Sequence, residues 1–353
     1  MSQGTEGLLA YSHDLLLVDL DGVVHIGGTA VDPAPATLRQ LRQDGMPVCY
    51  VTNNASRSAD HVARLLTSLD VPAQPGDVAT SAQAAAGMLA ERVPSGARVL
   101  VLGSSALADE VTSVGLDSIR DADQDPVAVV QGYSPEFGWR DLAEATVALS
   151  RGVLWVVTNT DRTLPSERGP LPGNGALVAA LTVAVDKEPD LVAGKPEPGL
   201  FRTASARWEP QRPLVVGDRL DTDIEGATRA GYDSIFVLTG VGTAADLLAA
   251  EEARRPRYVG ADLADLRKPY PAIEVSEDTA RCREWTVWRE PDTLRLTGDG
   301  APIDALRALC AAAWSSRGSQ ATWSNGSELS LTAGSDEAMA AFELFELAGK
   351  RDF

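Results

Sequence analysis

The stretch Leu15–Val24, LLLVDLDGVV, decides the fold. It opens with an apolar run from Leu15 to Val18 that stops abruptly at Asp19, and two later runs behave the same way: Val48–Val51 before Thr52, and Leu214–Val216 before Gly217 and Asp218. Unbroken Val/Leu runs, as opposed to alternating ones, belong to strands covered on both faces, the habit of parallel sheets flanked by helices. Helical segments separate them. Pro35–Gln43 leads into the second run with Gly45 as its stop, and Asp221–Ala230 follows the third and ends at Gly231. This alternation predicts an α/β fold with a doubly wound parallel sheet, whose ligands gather at the carboxyl ends of the strands.

Working outward, the chain from Thr52 to Lys195 is far longer than one crossover requires, so a whole domain is expected there. Within it Arg98–Leu102, Ala128–Gln131 and Leu154–Thr158 read as strands, and Ala106–Val114 and Leu142–Ser150 as helices. The insertion is therefore α/β as well. Four of the seven tryptophans (Trp285, Trp288, Trp314, Trp323) fall after the Pro-containing segment RKPYPAIEV, which marks a small third α+β unit of strand, helix, strand and helix. The expected division is a core of residues 10–75 and 190–270, a cap of 76–189, and an accessory unit of 271–353.

Composition narrows the function. With 44% hydrophobic and 23% charged residues, the 353-residue chain can build a substantial core and is not a disordered one. Its net charge of -19, from 50 acidic against 31 basic residues, repels nucleic-acid backbones and anionic bilayers alike. Neither is an expected partner. Cys49, Cys282 and Cys310 form no CxxC pair and read as buried small hydrophobes in a reducing compartment. The start MSQGTEGLLAYSHD lacks a basic leader, and no run is long enough to span a bilayer, so a cytoplasmic location is expected.

The chemistry gathers at the strand ends. Asp19 and Asp21 stand two residues apart where the first strand gives way to a glycine turn, and LVVGDRLDTDIEGA brings Asp218, Asp221 and Asp223 to the same sheet edge. Two carboxylates about 4 Å apart repel by about 4 kcal/mol at an effective dielectric of 20, so such a cluster calls for a cation. Oxygen-only ligands suit magnesium, which keeps waters and meets substrate phosphates. Thr52, Asn53 and Asn54 end the second strand with hydroxyl, amide and N–H groups, and Lys195 in AGKPEPGLF supplies a positive charge before a helix. Alone, the DxDG pair suits a solvated turn, Thr52 a strand cap and Lys195 a loop. Together and in this order, the four segments point to phosphotransfer.

DLDGVV, VTNN, GKPEP and GDRLDTDI resemble the four ordered motifs of the haloacid dehalogenase (HAD) superfamily phosphatases, over roughly residues 10–270. The spacing resembles the branch with an α/β cap between the second and third motifs, which includes p-nitrophenyl phosphatase-like and phosphoglycolate phosphatase-like enzymes. TNTDRTLPSERGPLPGNGALVAAL also resembles that cap, and the length and extra C-terminal unit resemble the actinobacterial glycerol-3-phosphate phosphatases, which carry an acetyltransferase-like C-terminal region. The resemblance implies an Mg2+-dependent enzyme in which Asp19 is the nucleophile and Asp21 the general acid and base. Asp19, the backbone carbonyl of Asp21, and Asp218 would hold the metal, with Asp223 in support, and Thr52, Asn53 and Lys195 would fix the phosphoryl oxygens. Asp221 varies in the branch, and Ala55 departs from its frequent serine.

The implied substrate is a small phosphomonoester, glycerol 3-phosphate first, with 2-phosphoglycolate, pyridoxal phosphate and sugar phosphates behind it. Asn159, Asp161, Arg162 and Asn174 are the cap residues expected to choose it, the bland alternative being that they only make turns. Phe137 and Trp139 read as cap core, His25 as a packed or solvent-facing histidine, and the C-terminal tryptophans as filling a small core. A phosphomutase with the same nucleophile, a phosphometabolite-binding sensor and a bifunctional enzyme that also transfers acetyl groups are the competing readings. Residues 271–353 are few for an acetyltransferase fold, which favours docking or regulation for that unit. Association of like chains is left open.

Overall fold

Leu15, Leu16, Leu17 and Val18 are all fully buried, and the computed structural model, which describes residues 7–164, 169–290, 293–315 and 330–351, shows why. Leu16 and Val18 pack with Leu38, Leu41, Val62 and Leu66 of the helices Ala34–Gln43 and Ala59–Ser68. Leu15 and Leu17 pack on the other face with Leu89, Leu200 and Phe201. Their strand, Leu15–Asp19, lies inside a six-stranded parallel sheet in the order Tyr258–Gly260, Asp233–Val237, Pro213–Gly217, Leu15–Asp19, Val48–Thr52, Val78–Thr80. Leu16 pairs with Leu214 on one side and Val48 on the other, so the three chemical strand ends come level at one edge.

A second parallel sheet forms the inserted cap, ordered Leu191–Val192, Leu154–Val157, Ala128–Gln131, Arg98–Leu102, Asp117–Ile119. The helix Ser81–Ala90 packs against elements of both units. Its sequence, SAQAAAGMLA, is small and apolar almost all round because Ala82, Ala84, Ala85 and Leu89 join one cluster with Leu15 and Leu17 of the core and Val99, Val130 and Val156 of the cap. A capping box starts it: the Gln83 N–H donates to Thr80 Oγ1 and the Thr80 N–H to Gln83 Oε1, each at 3.2 Å. The pairing moves the expected borders by a few residues. Val78–Thr80 belongs to the core sheet, not the cap, and Leu191–Val192 to the cap sheet, not the core, because each strand is claimed by its neighbour's ladder.

The C-terminal unit is a six-stranded mixed sheet with the helices Pro302–Trp314 and Asp336–Leu344. Four strands precede the first helix, Ile273–Val275, Thr279–Cys282, Trp285–Glu290 and Thr293–Thr297, where the sequence reading placed one. One turn that hid them is Arg283–Glu284: Arg283 takes φ +52°, with no glycine or asparagine to signal a hairpin. Trp285 is buried, but Trp288 is 49% exposed because it points from the outer face of the same strand, so not every tryptophan there fills the core. Trp323 lies outside the described residues. In the cap, Phe137 packs against the core, whereas Trp139 is 81% exposed at the first turn of the helix Trp139–Ser150, contrary to its expected burial. The three cysteines are free and buried. No described helix is long and apolar enough to cross a membrane.

Helix Pro302–Trp314 joins this unit to the catalytic core, since Leu306, Leu309 and Cys310 share a cluster with Phe236, Leu247 and Val259. The buried Arg307 crosses that seam. It donates to Val259 O at 2.8 Å, Asp304 Oδ1 at 2.7 Å and Asp265 Oδ2 at 3.3 Å, and stacks 4.6 Å over the Tyr270 ring. Arg307→Ala is expected to destabilise the protein by about 3 kcal/mol, because it takes the buried guanidinium from two buried carboxylates and leaves them the exposed side chains of Lys268 and Arg283. A denaturant midpoint equal to that of the unaltered protein would refute this role.

Candidate active site

The acidic candidates sit at or just beyond the strand ends, where the backbone hydrogen bonding of the sheet stops. Asp19 is the last residue of its strand, Asp218 follows Pro213–Gly217, and Asp223 sits in the single π-helical turn Leu220–Ile224 that opens the next helix. Gly22 makes the tight approach feasible: it has φ +88°, and a Cβ there would stand 2.5 Å from Asp218 Oδ2. Oxygens of Asp19, Asp218 and Asp223 consequently lie within 4.8 Å of one another.

Lys195 faces this cluster from the loop after Leu191–Val192 and is 3% exposed. Its Nζ donates to Asp19 Oδ1 and, at 2.6 Å, to Asp223 Oδ1. Burial pushes the Asp19 carboxyl well above its ordinary range; Lys195 opposes this, and the charges of Asp223 and Asp218 add to it. Burial, helped by Asp223, likewise raises Asp218 to about 6. Burial alone would lower the pKa of Lys195, but Asp19 and Asp223 outweigh it and hold the ammonium protonated.

Three carboxylates against one ammonium leave the cluster short of positive charge. Asp218 Oδ2 accepts from the Val241 N–H at 2.6 Å, while Asp218 Oδ1 is buried with no hydrogen-bond partner. An orphaned carboxylate oxygen inside an all-oxygen donor set fits a hard divalent cation such as magnesium.

The other expected site residues divide. Thr52 is buried at the end of its strand, and its Oγ1 accepts from the Asn54 N–H at 3.1 Å. Asp21 is exposed, with its Oδ1 3.7 Å from His25 Nδ1. The Asn53 side chain is turned onto the Lys195 backbone and Asp161, so a part of this residue in fixing phosphate would fall to its backbone N–H. Asn159 and Asn174 are buried and donate to Asn53 O and Asn159 O, each at 2.7 Å, so these amides hold loops together. Arg162 is exposed. Asp221 stands apart from the cluster, clamped by Arg219 through Nε–Oδ1 at 3.1 Å and Nη2–Oδ2 at 2.9 Å. Burial would raise the Asp221 pKa, but the Arg219 hydrogen bond and charge win and lower it.

Two neighbours had no assigned role in the sequence reading. Arg219 was only a letter between motif residues, and its partner at i+2 was the available signal. His25 is 5% exposed with Nδ1 3.7 Å from Asp21 Oδ1, a proximity the glycine turn creates and spacing alone does not reveal.

Known proteins match this arrangement. The chain matches the family model of haloacid dehalogenase-like hydrolases over residues 16–117, a HAD-hydrolase-like model over 192–266, and a GCN5-related N-acetyltransferase-like domain over 282–343. It is 45% identical over 350 residues to a D-glycerol 3-phosphate phosphatase of Mycobacterium tuberculosis, covering 96% of both chains. It is 36% identical over 233 residues to an acid sugar phosphatase of Staphylococcus aureus, covering 65% of this chain and 88% of that one. The crystal structure of a glycerol phosphate phosphatase from M. tuberculosis in complex with magnesium superposes with a TM-score of 0.87 at 43% identity, covering 97% of this chain and all of the other. A p-nitrophenyl phosphatase from Archaeoglobus fulgidus superposes with a TM-score of 0.67 at 29% identity over 72% of this chain and 98% of its own. With its parallel core, inserted cap and acidic strand-end cluster, the chain belongs to the haloacid dehalogenase-like hydrolases, as an enzyme of their phosphatase class.

Proposed function

We propose that this protein is a magnesium-dependent phosphomonoesterase that hydrolyses glycerol 3-phosphate to glycerol and phosphate through an aspartyl-phosphate on Asp19. The observation that carries the chemistry is the buried meeting of Asp19, Asp218 and Asp223 with the Lys195 ammonium. The substrate assignment rests on end-to-end similarity, accessory unit included, to the mycobacterial enzyme.

When bound by Asp19, Asp218 and the Asp21 carbonyl, with Asp223 in support, magnesium would supply charge neutralisation for the phosphoryl group. The chain's own residues do the rest. Asp19 attacks phosphorus in line while the P–O bond to glycerol breaks, which replaces one difficult hydrolysis with two displacements. Asp21, whose carboxyl is exposed, gives its proton to the departing glycerol oxygen. It then takes a proton from the water that attacks the aspartyl-phosphate, and the bond to Asp19 breaks to release phosphate. Lys195 and the Thr52 hydroxyl donate to the phosphoryl oxygens and hold them for both steps.

Phosphate release from glycerol 3-phosphate, 2-phosphoglycolate, pyridoxal phosphate and sugar phosphates, with and without magnesium, tests this. Preference for a sugar phosphate would move the assignment toward the activity named for the staphylococcal relative. Return of the phosphoryl group to sugar would mark a mutase.

Asp21→Asn separates the acid step from the rest. Loss of a general acid costs about 100-fold or more when the leaving group is a poor one such as glycerol, and far less for p-nitrophenol, which departs without protonation. Equal losses on the two substrates would remove Asp21 as the acid of the first step and leave it the base of the second, which both esters share.

A further inference from the structure

Asn53 stands at a junction of four chain segments. Its Oδ1 accepts from the Lys195 N–H at 2.8 Å and its Nδ2 donates to Lys195 O at 3.0 Å, so one carboxamide grips both backbone groups of the catalytic lysine. The approach is close: a Cβ on Gly194 would lie 2.5 Å from both Asn53 Oδ1 and Thr158 O. The second Nδ2 proton goes to the cap, where Asp161 Oδ2 accepts it at 3.2 Å. The Asn53 carbonyl is also occupied, by Asn159 Nδ2 at 2.7 Å and Ser81 Oγ at 2.6 Å.

Asp161 is itself held firmly. Its N–H donates to Asn159 Oδ1 at 3.2 Å and its carbonyl accepts from the Gly175 N–H at 2.8 Å, while the neighbouring Arg162 carbonyl accepts from the Gly173 N–H at 2.9 Å. These bonds dock the loop Asn159–Arg162 on the start of the helix Asn174–Val185. The Asp161 backbone is thus a fixed point of the cap, and its carboxylate is set against Asn53.

An asparagine amide has two protons and one acceptor, and here all three have partners. The bond to a carboxylate is charge-assisted and sets which end of the carboxamide is nitrogen, hence which end meets Lys195 O and which Lys195 N–H. We propose that Asp161 is a positioning residue that acts through Asn53 to place Lys195, linking the cap to the phosphate-holding ammonium, in place of the substrate-contacting role its sequence position suggested. Burial, with the charge of Asp221 adding to it, raises the Asp161 carboxyl, and the Asn53 hydrogen bond and the charges of Arg219 and Lys195 offset part of that rise. This proposal rests on the phosphatase reading and concerns only how its lysine is held.

The test compares Asp161→Ala and Asp161→Asn on glycerol 3-phosphate and p-nitrophenyl phosphate, with inhibition by inorganic phosphate as a binding readout. A misplaced lysine lowers kcat on both esters by a similar factor, about tenfold, and weakens phosphate inhibition, whereas KM for glycerol 3-phosphate moves no more than KM for the aryl ester. Asp161→Asn recovers most of the loss, because its amide oxygen still accepts from Asn53. Asn53→Ala and Asp161→Ala combined cost no more than Asn53→Ala alone.

A rise in KM confined to glycerol 3-phosphate would overturn the proposal in favour of direct substrate contact. Unchanged kinetics, or losses that multiply in the double variant, would overturn it too. If Asp161→Ala does not fold, Asp161→Leu, of similar bulk but with no acceptor, carries the same expectations. If the unaltered protein turns over the aryl ester but not glycerol 3-phosphate, the substrate assignment fails and the linkage is judged on kcat for the aryl ester and on phosphate inhibition.

Discussion

Asp19→Asn is expected to reduce turnover by at least about 10^4-fold, the scale on which removal of a covalent nucleophile acts in other enzymes. An amide nitrogen or oxygen at that position is a poor nucleophile toward phosphorus and cannot form the aspartyl-phosphate. The fold should survive. Asp19 is one of three carboxylates sharing the Lys195 ammonium, and its replacement removes one buried like charge while leaving Lys195 its 2.6 Å bond to Asp223. Circular dichroism and a thermal midpoint no lower than that of the unaltered protein in chelator would confirm that activity was lost without unfolding. Multiple turnover by the purified variant, with contaminating phosphatase excluded, would remove Asp19 as the nucleophile.

The second large effect follows from the orphaned Asp218 oxygen. Chelation is expected to stop turnover and magnesium to restore it. Asp218→Ala should raise the magnesium required by about 100-fold or more, while Asp221→Ala, whose carboxylate is committed to Arg219, should change it only a few-fold. Thermal stability gives an independent measure. Magnesium raises the midpoint of the unaltered protein by mass action, and this rise should vanish in Asp218→Ala. The same variant in chelator should melt no lower than the unaltered protein, since one carboxylate of the crowded cluster is gone. Calcium should bind yet support turnover poorly, because its larger and looser coordination shell disturbs in-line geometry. Turnover indifferent to chelators would exclude the mechanism.

The core was legible because its signals are local. Leu15–Val18 is apolar without alternation since Leu16 and Val18 face one helical layer while Leu15 and Leu17 face the other. Polar residues at the ends of such runs can only emerge at the sheet edge, so Asp19, Thr52 and Asp218 could be placed together from sequence. Lys195 could be joined to them by motif order. The C-terminal hairpins were not legible, because Arg283 turns the chain at φ +52° without a glycine, and strand pairing there is set by neighbours the sequence does not name. The exposure of Trp139 and Trp288 escaped for a related reason: residue type reports how much area burial would gain, and the register decides which side chains obtain it.

By itself the sequence determined the α/β class, the inserted cap, the acidic strand ends and the likeness to HAD phosphatases, since each follows from short-range pattern and ordered motifs. Only the tertiary structure decided what those residues face. It turned the Asn53 carboxamide into a clamp on the Lys195 backbone, buried Asn159 and Asn174 among loop carbonyls, and set Asp161 of the cap against Asn53 of the core. The reason is physical. A polar side chain in a buried place must spend its donors and acceptors on whatever groups the fold brings within about 3 Å, and for Asn53 those partners lie more than a hundred residues away in the chain.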